Sequence, residues 1–552
     1  MPYVVTQSCC SDASCVVACP VNCIHPAPGE PGFAEAEMVY VDPETCVDCG
    51  ACATACPVGA VKPHTSLGDA ELPFLDLNRL YYAGAPHADR PPLALVPPRR
   101  TQAHPDVRVA VVGAGPAGMY AADELLRHAG VSVDVYDRLP TPYGLARAGV
   151  APDHQDTRGI TDLFRAVEEQ PGFRYRLNVE VGTHVSHDEL AQHYHAVVYT
   201  VGAAGDAALG IPGEGLPGSL SATAFVGWYN GHPDHADAAV TLDGRRVVVV
   251  GNGNVALDTA RILTAGPGRL HGTDIAASPL AALDASEVRE VVVVGRRGPA
   301  QAAFTVPELL GLVGLAEADP GLEIVVDTGG VELAEADGDG PAARILRQLS
   351  TRRARGAERR IVLRFFTVPV RILGAERVTG VELAPTRLDA DGRAVVVPGA
   401  ATEALDAAMV LRSVGYRGRP VAGLPFDEAT ATVPNERGRI RAGTYVAGWI
   451  KRGPTGFLGT NKSCAEETVA SLLDDLDAGL LAEPAGDASL RALLASAPTQ
   501  VVDLAGWRAI DAEERRRGAR SGRPRVKLVG RPDLLRAADG ALPAGRTSRS
   551  RS

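Results

Sequence analysis

The stretch Val107–Gly118 reads V-R-V-A-V-V-G-A-G-P-A-G and decides the fold class of the chain. A run rich in valine leads into Gly113, Gly115 and Gly118, and a helical pattern follows over Met119–His128. In such a motif the first glycine permits a tight turn, the second lets a pyrophosphate approach the backbone, and the third lets the helix pack on the strand. The N–H groups of the helix N-terminus favour an anionic phosphate. The stretch therefore predicts a dinucleotide-binding βαβ unit.

A second predicted strand, Val131–Tyr136, places an acid where this interpretation needs one. The strand ends in Asp137, 24 residues after Gly113, at the position where a carboxylate hydrogen-bonds a ribose hydroxyl. The glycine pattern alone is weak evidence, because an ordinary glycine turn has the same residues. Strand, helix and acid in register together favour a nucleotide site.

A second nucleotide motif spans Arg246–Asp258, where four valines precede Gly251-Asn-Gly253-Asn-Val-Ala256. Alanine stands here in place of the third glycine. The motif predicts a second dinucleotide-binding unit.

The strand that follows this second motif ends differently from the first. Val291–Val294 runs into Gly295, Arg296 and Arg297 rather than into an acid. The planar fork of arginine pairs with phosphate oxygens, so two arginines at this position favour the 2′-phosphate of NADP. The alternative is a solvated basic turn. The separation of Gly251 and Gly295 is 44 residues instead of about 20, which predicts an excursion over 264–287.

Nine of the ten cysteines lie before residue 57, and seven of them fall into two runs. Cys46-x-x-Cys49-x-x-Cys52-x-x-x-Cys56-Pro57 has the spacing of bacterial ferredoxins. A zinc site is a poor competitor, because structural zinc uses pairs of ligands separated by a loop. The earlier run, Cys9-x-x-Asp12-x-x-Cys15-x-x-x-Cys19-Pro20, has the same frame with aspartate in the second position.

In a two-cluster ferredoxin the fourth cysteine of each run binds the other cluster. That rule predicts a first cluster on Cys9, Cys15 and Cys56, and a second on Cys19, Cys46, Cys49 and Cys52. The first has three thiolates, which predicts a [3Fe–4S] centre, or a [4Fe–4S] centre if Asp12 coordinates the fourth iron. Asp12 as a solvated turn residue is the equal alternative. Cys10 and Cys23 are expected to be small buried side chains.

Charge and hydropathy limit the possible partners. The formal net charge is −11, which argues against non-specific nucleic-acid binding. Residues 1–66 contribute strongly, with seven acidic residues against Lys62 alone. The sequence contains no run of 18 apolar residues, so it predicts no membrane span. It also contains no N-terminal basic region followed by an apolar core, so it predicts no secretory signal. We expect a cytoplasmic protein.

Three stretches carry a resemblance to known families. Residues 1–66 resemble the seven- and eight-iron bacterial ferredoxins. The G-A-G-P-A-G turn, Asp137 and the loop Pro140–His154 (P-T-P-Y-G-L-A-R-A-G-V-A-P-D-H) resemble adrenodoxin reductase-type ferredoxin–NADP⁺ reductases, as does Tyr445–Lys462. Residues 1–66 and about 107–470 together resemble fused ferredoxin/ferredoxin–NADP reductases of actinobacterial type. The resemblance implies FAD in the first nucleotide fold and NADP(H) in the second.

The resemblance also implies individual contacts. Those to FAD are Gly113, Gly115, Ala117, Gly118, Asp137, Leu145, Val181, Trp449, Gly456, Phe457 and Leu458. Those to NADP(H) are Asn252, Gly253, Asn254, Val255, Arg296, Arg297, Glu308 and Gly456. Asp137 stands where the family usually has glutamate. Hydride and electron transfer belong to the cofactors, so we assign no catalytic side chain.

The expected fold class is α/β: two Rossmann-like domains of the glutathione/adrenodoxin reductase type, plus an N-terminal α+β ferredoxin-like domain. The expected domains are the ferredoxin (1–66), a proline-rich extended linker (67–105), the FAD domain in two parts (106–203 and 413–475), the NADP domain (204–412), and an irregular appendage with a disordered tail (476–552). Residues 350–410 are expected to form antiparallel strands.

These features predict electron transfer between NADPH and ferredoxin-type clusters through FAD, with ferredoxin or another one-electron carrier such as a cytochrome P450 as acceptor. Two alternatives were weighed. One is an electron-input subunit like the small subunit of glutamate synthase, although that subunit lacks the C-x-x-C-x-x-C-x-x-x-C-P run. The other is a docking module that has lost its clusters, to which only Asp12 points.

Overall fold

The computed structural model describes residues 2–84, 106–331, 340–353 and 355–540. They form a small cysteine-rich unit and two α/β units, with a helical C-terminal segment packed on the latter. Within these residues, every helix is too short or too polar to cross a bilayer.

The cysteine-rich unit is built from two short hairpin-like pairings and two one-turn helices. Strand β1 pairs antiparallel with β4, and β2 pairs antiparallel with β3. Its elements are β1 (Tyr3–Val5), α1 (Ser14–Ala18), β2 (Ile24–His25), β3 (Tyr40–Val41), α2 (Ala51–Ala55) and β4 (Val61–Pro63).

Helix α3 (Pro73–Gly84) packs on this unit, so the prediction of an extended linker from residue 67 was wrong over that range. The side-chain amide of Asn78 donates to the carbonyl of Val5 (3.0 Å), and its Oδ1 accepts from the N–H of Val41 (2.9 Å). These bonds satisfy backbone groups that the short strands leave unpaired. The proline-rich remainder, 85–105, lies outside the described residues.

The first α/β unit has a six-stranded sheet in the order β21-β22-β8-β5-β6-β7, parallel except for β21. The predicted strand–turn–helix–strand unit is confirmed, with the helix beginning at Pro116. The elements are β5 (Val107–Val112), α4 (Pro116–Leu126), β6 (Val131–Asp137), α5 (Gly144–Ala148), α6 (Gln155–Arg158), α7 (Ile160–Glu168), β7 (Phe173–Leu177), α8 (His187–His193), β8 (Ala196–Tyr199), β21 (Arg439–Arg441), β22 (Thr444–Val446), α14 (Trp449–Arg452) and α15 (Thr460–Asp477).

The second α/β unit has a parallel sheet in the order β10-β19-β11-β12-β14-β13. The chain enters and leaves it through the antiparallel pair β9 (Gly205–Asp206) and β20 (Tyr416–Arg417). Its elements are β10 (Ser219–Ser221), α9 (Ala222–Asn230), β11 (Arg246–Val250), α10 (Asn254–Leu263), α11 (Ala277–Asp284), β12 (Glu290–Val294), α12 (Val306–Ala318), β13 (Leu322–Asp327), α13 (Pro341–Ser350), β14 (Arg359–Arg364) and β19 (Met409–Arg412). The predicted excursion contains α11.

The prediction of antiparallel strands over 350–410 was correct only in part. Four strands are antiparallel: β15 (Thr367–Leu373), β16 (Gly380–Leu388), β17 (Ala394–Val396) and β18 (Glu403–Asp406). In contrast, β14 lies parallel between β12 and β13. Ile361 and Leu363 of β14 are buried in the core of the second α/β unit, because helices cover an inner strand of a parallel sheet.

The C-terminal segment is ordered, which corrects the prediction of an irregular appendage. It forms α16 (Asp487–Ser496), α17 (Leu504–Ala519) and α18 (Arg531–Ala538). Trp507, Ile510, Leu528 and Leu534 are buried in the same core as β5 and α4. The predicted disordered ending falls largely on 541–552, which lie outside the described residues.

Candidate cofactor and cluster sites

The turn between β5 and α4 has the shape that a dinucleotide requires. Gly113 has a φ of +113°, and a Cβ there would lie 2.5 Å from the carbonyl oxygen of Thr200. A Cβ on Gly118 would collide with the carbonyl of Gly113. Helix α4 begins after Gly115 with no side-chain cap, so its first N–H groups are available to a phosphate.

Asp137 lies at the carboxyl end of β6, beside this turn. Its carboxylate accepts from the N–H groups of Ala114 (2.8 Å) and Leu139 (2.9 Å). Burial raises the pKa of this carboxyl, and the two N–H donors oppose that rise. Each carboxylate oxygen keeps a second lone pair, so the side chain can still accept from a ribose hydroxyl.

The other FAD candidates border the same sheet edge. Leu145 follows Gly144, where a Cβ would lie 3.0 Å from the Cα of Gly115. A Cβ on Gly448, at the end of β22, would lie 2.7 Å from the Cβ of Ala117. Val181 lies two residues after Val179, whose N–H donates to the carbonyl of Asp137 (2.8 Å).

Trp449 and the segment 456–458 complete this edge. The indole Nε1 of Trp449 donates to the carbonyl of Thr455 (3.0 Å), and its ring lies 5.2 Å from that of Tyr416. Gly456, Phe457 and Leu458 are partly exposed between α14 and α15. The contacts of Gly448 with Ala117 and of Trp449 with Thr455 therefore join the glycine turn of the first α/β unit to the start of the segment 456–458.

The second turn, from β11 to α10, repeats the first. Gly251 has a φ of +107°, and a Cβ there would collide with the carbonyl of Ser413. Gly253 has open space at its Cβ position, and α10 begins there without a side-chain cap. Asn254 Oδ1 accepts from the N–H of Thr305 (2.8 Å), which fixes the loop that leads to Glu308.

Arg296 and Arg297 follow β12 at the edge where this turn lies. Both are exposed, and neither guanidinium makes an ion pair with any residue that the structure describes. Their backbone is held, because the carbonyl of Arg296 accepts from Thr386 Oγ1 (2.7 Å) and that of Arg297 from the N–H of Phe366 (3.2 Å). Fixed backbone and free guanidinium groups suit the binding of a phosphate.

Glu308 belongs to a buried ionic group that sequence reasoning only partly found. Arg261 binds Asp153 (2.7 Å) and Asp258 (2.6 Å), which joins the two α/β units. Burial and the charge of Asp258 raise the pKa of Glu308, which lies 3.9 Å from His154. Asp153 and His154 are adjacent in the P-D-H segment of the loop, and that segment was the sequence signal for this ionic group.

The cysteines form the two sets that the crossover rule predicts. Burial, with a smaller effect from the nearby Cys56 and Asp12, raises the pKa of Cys9 to about 11. Burial, Cys9, Asp12 and Cys56 likewise raise the pKa of Cys15. The members of the second set line one pocket: Cys19, Cys46, Cys49 and Cys52. Buried thiols become thiolates when a cation compensates their charge, so both sets fit iron.

Asp12 and the two remaining N-terminal cysteines are all buried. Asp12 Oδ2 accepts from Ser14 Oγ (2.5 Å) and Oδ1 from the Ser14 N–H (3.2 Å), at the start of α1. Cys23 lies 3.4 Å from Cys19, sulfur to sulfur, and Cys10 packs against the core of the first α/β unit.

The cysteine-rich unit is docked on both α/β units. The N–H of Gly459 donates to the carbonyl of Cys10 (2.7 Å), and Lys462 Nζ donates to Ser14 Oγ (3.2 Å). On the other side, Gln7 Nε2 donates to Glu308 Oε2 (3.1 Å) and Glu37 Oε2 accepts from the N–H of Val306 (2.8 Å). Sequence reasoning missed these contacts, because they join distant parts of the chain.

Comparison with known proteins places these sites in a family. Residues 107–297 match the pyridine nucleotide-disulphide oxidoreductase family, and residues 39–62 match the 4Fe-4S binding domain. The probable ferredoxin/ferredoxin–NADP reductase of Mycobacterium leprae is 50% identical over 98% of this chain and 99% of its own length. The chain belongs to the ferredoxin/ferredoxin–NADP reductase family. It is therefore an FAD-dependent oxidoreductase with an N-terminal iron–sulfur domain.

Members of this family share their reductase part with shorter proteins. NADPH-ferredoxin reductase FprA of Mycobacterium tuberculosis is 45% identical over 78% of this chain and 98% of its own length. The solved structure of that protein in complex with NADPH has a TM-score of 0.73 and 44% identity, and it covers 79% of this chain and all of its own.

Proposed function

We propose that this chain carries electrons from NADPH, through FAD, to two iron–sulfur clusters held by its own N-terminal unit. One arrangement supports the proposal. The two glycine turns begin helices without side-chain caps, and one turn lies beside Asp137 and the other beside Arg296 and Arg297. The cysteine-rich unit with its two thiol sets is docked on the same two α/β units. FAD, when bound, accepts the hydride of NADPH as an electron pair and releases the electrons singly.

The protein's own residues bind and orient. We assign the pyrophosphate and ribose of FAD to the Gly113–Gly118 turn and Asp137. The pyrophosphate of NADPH belongs to the turn at Asn252–Val255, and its 2′-phosphate to Arg296 and Arg297. The remaining FAD and NADP(H) candidates named above keep their assigned contacts, with Gly456 shared by both cofactors.

We assign the cluster ligands to the two sets as the crossover rule groups them. The thiolates of Cys9, Cys15 and Cys56 hold a [3Fe–4S] centre, because this set supplies three thiolates rather than four. Those of Cys19, Cys46, Cys49 and Cys52 hold a [4Fe–4S] centre. EPR spectroscopy of anaerobically purified protein tests both assignments, and a single cluster, or two four-iron clusters, would contradict them.

A spectroscopic titration tests the proposed function itself. NADPH added anaerobically to the iron-replete protein is expected to bleach the flavin band and then to produce the EPR signals of reduced clusters. NADH is expected to do so far more slowly, because it lacks the 2′-phosphate. A protein without a flavin band, or with a band that NADPH does not bleach, would refute the proposal.

The acceptor is a one-electron carrier such as ferredoxin, and we propose the cytoplasm as the site of action. Reducing conditions there keep thiols free to bind iron.

A further inference from the structure

We propose that the docked ferredoxin unit is a relay with a fixed direction: electrons enter at the Cys9, Cys15 and Cys56 set and leave at the Cys19, Cys46, Cys49 and Cys52 set. The exit lies at the exposed surface of Val47, Asp48 and Cys49, here called the exit surface. This inference rests on the proposed function and adds the route by which electrons leave the molecule.

The first thiol set lies against the predicted flavin edge. The N–H of Gly459 donates to the carbonyl of Cys10 (2.7 Å), and Gly459 directly follows the segment 456–458. Cys9, Cys56 and Leu458 all pack against one apolar core, that of the first α/β unit. Three residues span about 10 Å at most, so the first thiol set lies close to the side chains assigned to the flavin.

The contact is tight enough to fix the unit in place. A Cβ on Gly459 would collide with the backbone of Cys10 and Asp12. Val306 packs in turn against the core of the ferredoxin unit. The unit therefore covers the surface beside the segment 456–458, which is assigned to the flavin.

The second thiol set reaches solvent through one member. Cys49 is exposed, Cys19 and Cys46 are half-buried and Cys52 is buried, whereas in the first set Cys9 and Cys56 are half-buried and Cys15 is buried. Val47 is 58% exposed between Cys46 and Cys49 of this set, and Val17, 52% exposed, lies two residues from Cys19 of this set and two from Cys15 of the first. Such exposed valines beside a redox site favour transient contact with another protein.

The charge of the exit surface indicates its partner. Asp48 and Glu44 are exposed beside Val47, and neither forms an ion pair within the described residues. The partner is therefore a one-electron acceptor protein with basic residues around its redox centre. The reaction balances: NADPH and two oxidised acceptors give NADP⁺, a proton and two acceptors each reduced by one electron.

The exit surface is tested with cytochrome c, a basic one-electron acceptor. V47R is expected to slow its reduction at least tenfold and to weaken the dependence of the rate on salt, because a positive charge repels the acceptor. V396R is the matched control, since Val396 is 48% exposed on β17, outside the cysteine-rich unit. Equal rates for V47R and V396R would overturn the exit surface.

The direction is tested by removing one ligand of each set and recording EPR spectra after NADPH is added. In C49S the signal of the first cluster is expected to appear while cytochrome c reduction is lost. In C15S the second cluster is expected to stay oxidised after the flavin band bleaches. The opposite pattern would overturn the direction, whereas a flavin that does not bleach would overturn the proposed function instead.

A third comparison does not depend on the cysteine variants folding. Gly459 and Gly486 each immediately precede a helix, and both have a negative φ that alanine can also adopt. Of the two, Gly459 alone has close neighbours at its Cβ position. G459A is expected to increase hydrogen exchange over residues 9–14 and to slow cluster reduction after flavin bleaching, whereas G486A matches the parent. Increased exchange with undiminished cluster reduction in G459A would show that docking is not needed, and would overturn the relay.

Discussion

At the scale of single residues, the two nucleotide sites differ in the side chain that follows the second strand. Asp137 ends β6 and accepts from two backbone N–H groups, whereas Arg296 and Arg297 follow β12 with free guanidinium groups. An acid binds a ribose hydroxyl and repels a phosphate, and arginine does the reverse. These few atoms distinguish two folds whose backbones are alike.

Replacing Arg296 and Arg297 together by alanine is expected to reduce the preference for NADPH over NADH by 10- to 100-fold, which is about 1.4–2.8 kcal/mol. The measurement is the rate of flavin bleaching as a function of the concentration of each cofactor. R393A is the control, since Arg393 is highly exposed in the turn between β16 and β17. Unchanged selectivity in the double variant would contradict the 2′-phosphate assignment.

Glu168 offers a prediction about pH. It is 4% exposed, its Oε1 accepts from Tyr143 (2.5 Å) and Tyr175 (2.8 Å), and burial raises its pKa above the ordinary value. A raised folded-state pKa contributes stability that is present below the unfolded pKa and is lost as the pH rises through the folded pKa.

E168Q keeps an oxygen for both tyrosines and removes the titration. The difference in Tm between E168Q and the parent is expected to rise in favour of E168Q as the pH increases from 4.5 to 7. Thermal unfolding across this range measures it, with E169Q as control because Glu169 is largely exposed. A Tm difference between E168Q and the parent that stays constant with pH would show that the pKa of Glu168 is not raised.

At the scale of elements, the C-terminal helices act as part of the FAD-binding unit. Trp507 of α17 is 2% exposed, packs edge-on to Tyr143 with ring centres 5.6 Å apart, and lies under the guanidinium of Arg147 (5.5 Å). Glu514, fully buried, pairs with Arg147 (2.6 Å). The loop 140–149, which contains the FAD candidate Leu145, is thus supported from behind by α17.

W507A is expected to lower the free energy of unfolding by about 3–5 kcal/mol, the usual cost of removing a buried aromatic side chain. Flavin release during thermal unfolding is expected at a lower temperature, because the loop above Trp507 loses its support. Leu480→Ala is the control, since that side chain is 54% exposed. A W507A variant as stable as the control would show that α17 is dispensable.

At the scale of the whole molecule, the ferredoxin unit contacts the NADP(H) side as well as the flavin side. Gln7 donates to Glu308 (3.1 Å), and this bond opposes the rise in the pKa of Glu308 that burial and Asp258 cause. An electron-accepting unit therefore touches a residue assigned to the hydride donor.

Replacing Gln7 by leucine is expected to raise the pKa of Glu308 further, because the carboxylate loses a donor. The pH profile of flavin bleaching by NADPH is then displaced to higher pH. S8A is the matched control, since the hydroxyl of Ser8 donates to Asp156, at 3.5 Å, rather than to Glu308. Identical profiles for Q7L and the parent would mean that the ferredoxin unit does not influence the NADP(H) side.

The sequence by itself determined the local features of this protein. The Val107–Gly118 turn, the acid at Asp137, the arginines after β12 and the spacing of the cysteines are short patterns, and each depends on neighbours within a few tens of residues. Such patterns can be interpreted without the tertiary structure, because local geometry determines turns, helix N-termini and the spacing of cluster ligands.

Only the tertiary structure decided how these parts are arranged. That α3 packs on the ferredoxin unit, that β14 lies inside a parallel sheet, and that Gly459 contacts Cys10 all depend on residues tens to hundreds of positions apart. Burial of apolar surface drives such contacts, and it is non-directional. Their geometry is therefore fixed by the folded chain as a whole rather than by any one motif.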